Sequence, residues 1–320
     1  MSWPLFGLAA GAAVVERFVG YPVSLQRQIG HPVQWMGRLI AILDASLNDP
    51  LPSEWAGRLR GAAALAILLV TAFALAYLAH LLARALPAGP VWEALLATPF
   101  IAQKSLRDHV GAVLDGLETS LAHGQKAVSA IVGRDPLALD ESGVAKGAIE
   151  SLAENTSDGI VAPLFWLAIA GLPGIALYKA INTADSMIGH KSPEHLHFGW
   201  AAARLDDLVN LPCSRLSGLL FAAAAAVRHP ASGRDALKAM RRDAGTHASP
   251  NAGWPEAAMA GALGIRLGGS RSYDGHVVDL PAMGDGRQRL EANDIRRALA
   301  LYDRALNLLA AVLIVLAIAF

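Results

Sequence analysis

The sequence predicts an all-α integral membrane protein, with several transmembrane helices, interrupted or re-entrant elements and polar helical segments. Hydrophobic residues make up 54% of the 320 residues and charged residues only 17%, and the mean hydropathy is +0.38, which is more apolar than a typical soluble domain. Residues 61–82 contain no Asp, Glu, Lys or Arg, and 22 residues are enough to span a bilayer. Strand-type alternation is nearly absent, because apolar residues recur at helical spacing and alanine is the commonest of them.

The first half of the chain divides into four segments. Residues 3–15 are apolar and lack both a basic start and a clear small-residue cleavage site, so we expect a retained anchor rather than a signal peptide. A proline-punctuated loop is predicted between this anchor and the helix at 61–82, with prolines at positions 22 and 32. Residues 100–155 follow as a mostly polar helical stretch.

The second half contains two interrupted apolar stretches, at 159–177 and 208–227, and an apolar terminal run at 305–320. The first of these predicts a broken or re-entrant element because it contains Pro163, Gly171, Pro173 and Gly174. Lys and Arg occur in every polar segment, including the basic stretch at 228–304, so no side of the membrane is depleted in them. Either some runs re-enter the membrane, or the polar segments are too large for the charge rule to apply.

Composition and charge also limit the domain organisation and the classes of partner. No internal repeat or low-complexity linker divides the chain, so residues 1–320 are predicted to form a single membrane-embedded domain. Lys plus Arg equals Asp plus Glu, at 27 each, and nucleic acid is therefore not an expected partner. The single cysteine, Cys213, excludes an internal disulfide framework.

Three polar clusters, at 150–159, 179–186 and 204–210, flank the apolar stretches. Their carboxylates and carboxamides recur at helical spacing, and such groups beside membrane helices are costly unless they are paired, hydrated or bound to metal. Oxygen ligands of this kind suit magnesium, which usually binds together with substrate phosphates. Each cluster alone is also compatible with ion pairs and helix caps, but three clusters within about 60 residues favour a functional site.

Two weaker patterns have structural interpretations. The loop histidines His190, His195 and His197 lack a Glu or Cys partner at metal-ligand spacing, so solvated side chains are favoured over a metal triad. Gly264 and Gly268 are not preceded by a strand signal, which argues against a dinucleotide-binding motif. Close helix packing, or the end of a helix at Gly268, is the better interpretation.

The polar clusters belong to a series of motifs that resembles the adenosylcobinamide-phosphate synthase family of cobalamin biosynthesis. The resemblance covers most of the chain, and the order of the motifs is more specific than any one of them. At the N-terminus Tyr21 stands where the family usually has Asp. The matching segments are 20–37, 105–108, 132–135, 150–163 (ESLAENTSDGIVAP), 178–187 (YKAINTADSM), 204–210 (RLDDLVN) and 249–269.

The resemblance implies an ATP- and magnesium-dependent amide synthase. Its substrates would be adenosylcobyric acid and an amino-alcohol phosphate, either (R)-1-amino-2-propanol phosphate or ethanolamine phosphate. The implied location is the inner membrane of the cell, as a multi-pass protein whose active site faces the cytoplasm. Membrane lipid is an expected partner, and other cobalamin-assembly enzymes at the membrane are further candidates.

Residue roles are expected from this chemistry at the matching positions and at the nearby Lys191. A carboxylate must be activated as an acyl phosphate, so metal and cations must offset charge on the phosphoryl group, and a base must accept a proton from the amine. The expected catalytic residues are Glu150, Glu154, Asp158 and Asp185, with Glu150 or Glu154 as the general base. The expected metal ligands are Asp158, Asp185, Asp206 and Asp207. The expected substrate- and phosphate-binding residues are Arg134, Asn155, Lys179, Asn182, Lys191, Arg204 and Asn251.

Two other classes of protein fit the same polar residues. A membrane prenyltransferase or phosphatidyltransferase also holds magnesium and a diphosphate with acidic residues on membrane helices, but it would bind a lipid diphosphate or a nucleotide–alcohol and ignore corrinoids. A transporter or an assembly factor would line a path through the membrane with polar residues and show no turnover.

Overall fold

The computed structural model describes residues 5–49, 53–133, 135–269, 271–273, 276–278 and 281–320. The described residues are almost entirely helical, and the chain packs as two compact units. Residues 1–102, 162–210 and 313–320 belong to the first unit, and residues 103–161 and 211–312 belong to the second. The single membrane-embedded domain expected over residues 1–320 stays a prediction.

The chain forms thirteen described α-helices. Their bounds are α1 Leu5–Val19, α2 Val23–Ile29, α3 Pro32–Leu47, α4 Glu54–Ala85, α5 Gly89–Ala97, α6 Gln103–Thr119, α7 Leu121–Val128, α8 Glu141–Thr156, α9 Ala162–Ile188, α10 Trp200–Arg228, α11 Pro230–Asp243, α12 Gly253–Leu263 and α13 Ala292–Ala319. The first five and α9 belong to the first unit, α6–α8, α11 and α12 belong to the second, and α10 and α13 contribute residues to both. Short 3-10 turns occupy Thr98–Phe100, Pro136–Ala138 and Ala244–Thr246, and Ser157–Val161 forms a π-helical turn.

The prediction of a proline-punctuated loop before α4 is wrong, because prolines begin helices there. Pro32 is the first residue of α3, where its missing N–H would have no helical partner in any case. The preceding His31 caps the helix, since its Nδ1 accepts from the Val33 N–H at 3.3 Å and the Gln34 side chain accepts from the His31 N–H at 3.2 Å. Pro22 likewise directly precedes α2.

The core of the first unit lies between α3, α4, α9 and α10, and small side chains allow these helices to approach closely. Ala64, Ala72, Ala180, Ala184 and Ala202 are all buried in it. In addition, a Cβ added to the glycine at position 61 would lie 1.8 Å from a backbone oxygen, so only glycine fits there.

Within the described residues, four helical segments are long and apolar enough to cross a membrane: α4, residues 141–188, α10 and α13. The helix predicted at 61–82 and the terminal run at 305–320 are thereby confirmed within α4 and α13. A fifth span is possible if α1 and residues 23–47, which meet at a bend of 101°, cross together.

The predicted interruption of 159–177 is confirmed at two positions. The π-helical turn at Ser157–Val161 separates α8 from α9. Within α9, Gly171 has φ 63° and ψ −157°, and Pro173 follows it, so the backbone is not helical at this point. We refer to residues 172–188, after this break, as the C-terminal half of α9.

In the second unit, α11 packs on α12, and four short strands follow α12. The strands are β1 Leu267–Gly268, β2 Arg271–Tyr273, β3 His276–Val278 and β4 Ala282–Met283; β1 pairs with β4 and β2 with β3, both antiparallel. No clear sequence pattern predicted these strands. The prediction that a helix ends at Gly268 is wrong, because α12 ends one turn earlier, at a left-handed Gly264. Gly268 instead lies in β1, with φ +72°.

Candidate functional site

The C-terminal half of α9 carries a polar stripe in the first unit. Lys179, Asn182 and Asp185 follow one another at three-residue spacing, so they lie along one side of the helix. The Lys179 Nζ donates to the Asn182 Oδ1 at 3.1 Å. The predicted stripe is therefore present, and its first two members are already joined.

Asp206 on α10 is the centre of the hydrogen-bond network that this stripe enters. Its Oδ1 lies 3.5 Å from the Asn182 Nδ2, and its Oδ2 accepts from the Asn210 Nδ2 at 3.0 Å. The buried Tyr178 hydroxyl donates to the Asn210 Oδ1 at 2.9 Å and so fixes that amide. Amide groups thus hold both carboxylate oxygens of the largely buried Asp206 in place. These hydrogen bonds fix the orientation of the carboxylate.

Two further aspartates lie within electrostatic range of Asp206. They are Asp185 on α9 and Asp207, the next residue on α10. Asp207 in turn interacts with Arg204 and Lys191, so carboxylates and cations occur together in this part of the first unit. Neighbouring carboxylates repel one another, and either a divalent cation or protons relieve that repulsion. We refer to Lys179, Asn182, Asp185, Asp206 and Asp207 as the α9–α10 acidic cluster.

The acidic cluster suits magnesium by its chemistry, since all of its neutral and anionic ligands are oxygens. Within the described residues, three ligand atoms closer than 4.8 Å to one another occur at Asp44, Glu194 and His195 rather than among these aspartates. Magnesium, however, needs only one or two carboxylates when phosphates and waters complete its shell. The metal-binding roles of Asp158, Asp185, Asp206 and Asp207 remain a prediction.

His195 is not the solvated loop histidine that its sequence context predicts. Its Nε2 lies 3.2 Å from the Asp44 Oδ2, and its side chain is only 14% exposed. The Asn48 Nδ2 donates to the Asp44 Oδ1 at 3.0 Å and to the Glu194 backbone oxygen at 3.2 Å. These contacts attach the loop after α9 to the end of α3.

His31 is a residue that the sequence did not single out for the site. Its imidazole packs edge-on against the Tyr21 ring at 4.5 Å and lies within electrostatic range of Lys179. Since its Nδ1 accepts from the Val33 N–H, the neutral ring carries its proton on Nε2. The His-Pro-Val segment is the sequence signal that could have indicated this residue.

The remaining predicted residues on α8 and in the π-helical turn belong to the second unit. Glu150 is buried, and its Oε1 accepts from the Gly268 N–H at 2.8 Å, which holds β1 in place. Glu154 and Asn155 are exposed, and the Asn155 amide donates to the Ser151 backbone oxygen at 2.9 Å. Asp158 lies in the π-helical turn, an irregularity that is frequent at functional sites.

Asn251 belongs to a second polar network, at the start of α12. Its Oδ1 accepts from the Ser214 hydroxyl at 3.1 Å and from the Arg215 Nη1 at 3.3 Å. The Arg215 guanidinium also lies 4.6 Å from the centre of the Trp254 ring. Arg215 was not among the predicted site residues, although it is the only charged residue within 208–227 and a charge in an apolar run is costly.

Of the other predicted phosphate-binding residues, Arg204 and Lys191 lie beside Asp207, as described above. Arg134 lies outside the described residues.

Comparisons with known proteins identify the family. The model of the CobD/Cbib protein family matches residues 9–302. The chain is 50% identical to the cobalamin biosynthesis protein CobD of Sinorhizobium fredii strain NGR234, over 100% of this chain and 99% of the relative. It is 49% identical to the protein of the same name from Rhodobacter capsulatus, over 91% of each chain, and 45% identical to that of Brucella suis, over 95% and 94%. No solved structure matches. The chain therefore belongs to the CobD/Cbib family of cobalamin biosynthesis proteins.

Proposed function

We propose that this protein is the membrane amide synthase that joins adenosylcobyric acid to an amino-alcohol phosphate, with ATP and magnesium as co-substrate and cofactor. The observation that carries the proposal is the α9–α10 acidic cluster, in which a buried aspartate held by two amides lies near two further aspartates and near cations. Family membership supports the corrinoid as substrate in preference to a lipid diphosphate.

The reaction requires two displacements. The free propionate oxygen of the corrinoid attacks the γ-phosphorus of ATP, so that a carbon–oxygen–phosphorus link forms while the bond from that phosphorus to ADP breaks. The amine nitrogen then attacks the acyl carbon, a carbon–nitrogen bond forms, and inorganic phosphate leaves with the oxygen of the broken carbon–oxygen bond. The ammonium must lose a proton before it attacks, and this proton goes to a base.

The residues of the acidic cluster match the charges that develop in these steps. Magnesium, when bound, would offset negative charge on the phosphoryl group and orient it. Lys179 and Arg204 carry the cationic groups that bind phosphate oxygens, with Arg204 able to do so through two parallel N–H bonds. The Asp206 carboxylate is fixed in direction before any ligand arrives, so it does not have to reorganise during the reaction.

The general base is best sought at Glu154. Glu150 already accepts the Gly268 N–H and stabilises β1, so its substitution is expected to disturb the fold of the second unit. Glu154 lies one turn further along α8 and is exposed. Glu154→Gln should therefore reduce turnover at a near-normal melting temperature, whereas Glu150→Gln should lower both.

The direct test is turnover by the purified protein in phospholipid nanodiscs. Adenosylcobyric acid, ATP and magnesium are supplied with (R)-1-amino-2-propanol phosphate or with ethanolamine phosphate, and the products are read by mass spectrometry. We expect a corrinoid amide together with ADP and inorganic phosphate in equal amounts. Release of AMP and diphosphate, no corrinoid product with either amine, or turnover of a prenyl diphosphate in a parallel reaction would each overturn the proposal.

The proposal extends to location. We infer that the protein lies in the inner membrane with its site open to the cytoplasm, because ATP and the two other substrates are charged and cytosolic. The four apolar helical segments support a multi-pass membrane protein.

A further inference from the structure

A cavity of about 470 Å³ in the first unit is lined by none of the residues of the acidic cluster. Its walls come from α1, α2, α3, α4, α5, the turn at Thr98–Phe100 and α9. This volume falls within the range of about 300–1,000 Å³ that is usual for sites of small ligands. All of its lining residues belong to the described part of the first unit.

The chemistry of the lining excludes a polar ligand. None of the described residues that line the cavity is charged. Four lining side chains are polar, and each donates its proton to a nearby backbone carbonyl: Tyr21 to Gly30, Trp35 to Ile29, Thr71 to Ile67 and Thr98 to Leu95, at 2.8–2.9 Å. A ligand with several hydrogen-bonding groups, such as the amide-rich rim of a corrinoid, would leave those groups without donors, and this is costly. A buried water molecule also needs several polar partners, so this lining does not favour water as the occupant.

The cavity is continuous with the apolar surface of the unit. Leu75 lines it and is 63% exposed, and Ile29 lines it and is 53% exposed. Leu75 lies in α4, the most apolar of the candidate membrane spans, where the neighbouring Val70 and Leu78 are also exposed. In a helix of this composition such side chains face acyl chains, so the cavity opens towards lipid.

We propose that this cavity binds an acyl chain of a membrane phospholipid as a resident ligand. A linear hydrocarbon matches a lining that offers apolar contact and no free donor, and the bilayer supplies it from the exposed side. Contacts between the acyl chain and the lining would supply the van der Waals interactions that the lining of an empty cavity lacks.

The bound chain would support the helix that carries the acidic cluster. Leu172 and Ala176 of the cavity wall come directly after the break at Gly171. Lys179 follows less than one turn after Ala176 on the same helical half. An acyl chain against Leu172 and Ala176 therefore stabilises the first turn of the C-terminal half of α9. This turn needs support because the break at Gly171 interrupts the helix before it. This role does not depend on which reaction the cluster catalyses.

The test is photolabelling of the purified protein in nanodiscs of phosphatidylethanolamine and phosphatidylglycerol that contain a phosphatidylcholine with a trifluoromethyl-phenyl-diazirine at one acyl terminus. Labelled positions are mapped by mass spectrometry of peptides. We expect adducts on cavity residues such as Met36 and Leu39, in addition to those on the exposed face of α4. Adducts confined to the exposed face of α4 would overturn the proposal. This part of the test needs only the unmodified protein.

A matched pair of variants tests whether the adducts depend on the cavity itself. Ala76→Phe fills the cavity, because Ala76 is buried in its lining, and should remove most adducts from Met36 and Leu39. Val70→Phe adds the same ring to a residue of α4 that is 69% exposed and outside the cavity, and it should leave those adducts unchanged. Equal labelling of the two variants would contradict the proposal. So would loss of the adducts on addition of adenosylcobyric acid, which would assign the cavity to the corrinoid.

Discussion

At the scale of single residues, Asp206 shows how a carboxylate is accommodated next to a membrane helix. Only 8% of the residue is exposed, and removing a carboxylate from water is costly unless hydrogen bonds or a cation compensate. Asn182 and Asn210 supply two N–H groups, one to each carboxylate oxygen. Two neutral amides do not cancel the charge, and Asp185 and Asp207 add to it, so we expect a bound divalent cation to relieve the repulsion among these three carboxylates.

Removing this charge should abolish most of the activity without unfolding the protein. Asp206→Asn and Asp185→Asn preserve side-chain volume and should each reduce kcat/KM about a hundredfold or more, because a group that stabilises transition-state charge is lost. The double variant should lose much less than the product of the two single effects, since residues that act as a unit are not additive. Turnover, extraction yield and melting temperature are measured for each variant.

The control for these variants is Asp115→Asn, at an exposed position of α6 outside both polar networks. It should leave turnover unchanged. Near-normal turnover in both single variants, or losses in proportion to the amount of folded protein, would show that the cluster is structural.

The cations of the site should act mainly on substrate binding. Lys179→Met and Arg204→Met each remove a charge-assisted contact to phosphate, worth about 1.5–3 kcal/mol, which corresponds to an increase in apparent KM of about 10–150-fold. Steady-state kinetics with each phosphorylated substrate varied in turn assigns each cation to ATP or to the amino-alcohol phosphate. Lys238→Met, at an exposed ion pair on α11, is the control. An unchanged KM in both variants would mean that neither residue binds phosphate.

At the scale of elements, the break in α9 depends on one glycine. Gly171 adopts φ 63° and ψ −157°, a region that is essentially restricted to glycine and that costs other residues about 1–3 kcal/mol. Gly171→Ala should therefore lower the melting temperature and the yield of folded protein. Gly111→Ala is the matched control, because Gly111 is helical in α6 and an added methyl group there would meet nothing within 4 Å. It should be neutral or slightly stabilising. Equal melting temperatures of the two variants would contradict the proposed strain.

Two carboxylates of the second unit accept hydrogen bonds from the backbone of the strand segment at 267–284. Glu150 binds the Gly268 N–H, and the Asp243 carboxylate accepts from the Gly284 N–H at 2.8 Å. Asp243 is also paired with Arg242 at 2.6 Å. Although burial raises the pKa of Asp243, these hydrogen bonds outweigh it, and the pKa of Asp243 is lowered from its ordinary value.

This lowered pKa predicts a pH dependence with a definite sign. The unfolded carboxyl titrates near its ordinary pKa of about 3.9, so the stabilising contribution is present above that pH and is lost as the pH falls through the lower folded pKa. Asp243→Asn should therefore lower the melting temperature at pH 7, and the difference from the unmodified protein should shrink below about pH 4. Asp235→Asn, in an exposed pair on α11, should show little difference at any pH. A difference that is the same at pH 7 and pH 3.5 would contradict the assignment.

The elements that the sequence predicted well are those that depend on local composition. An uncharged run of 22 residues predicts a span such as α4, and helical spacing of polar residues predicts the stripe on α9, because both patterns lie within one helix. The strands were missed because their supports are remote: Glu150 and Gly268 are 118 residues apart in the chain. Arg215 stood out locally as a lone charge in an apolar run, but its partner Asn251 lies 36 residues further along, so their contact could not be predicted from spacing.

At the scale of the whole molecule, the expected cytoplasmic site constrains the topology. The exposed Asn155 near the end of α8 and the exposed Pro193 in the loop after α9 flank the π-helical turn, the break at Gly171 and the rest of α9. If this whole stretch crossed the membrane once, the two positions would lie on opposite sides. If it re-enters, with its break at Gly171, both lie on the same side, as the expected cytoplasmic location of both polar segments requires.

Single-cysteine labelling distinguishes these two arrangements. In a Cys213→Ser background, Asn155→Cys and Pro193→Cys are treated with a membrane-impermeant maleimide, first in intact cells and then in inverted membrane vesicles. We expect both cysteines to react only in the inverted vesicles, where the cytoplasmic face is exposed. The Cys213→Ser protein without an added cysteine gives the background, and the melting temperature of each variant confirms that it is folded. Reaction of one position in intact cells and of the other in inverted vesicles would show that 156–192 crosses the membrane an odd number of times, and the two polar segments would then face different compartments.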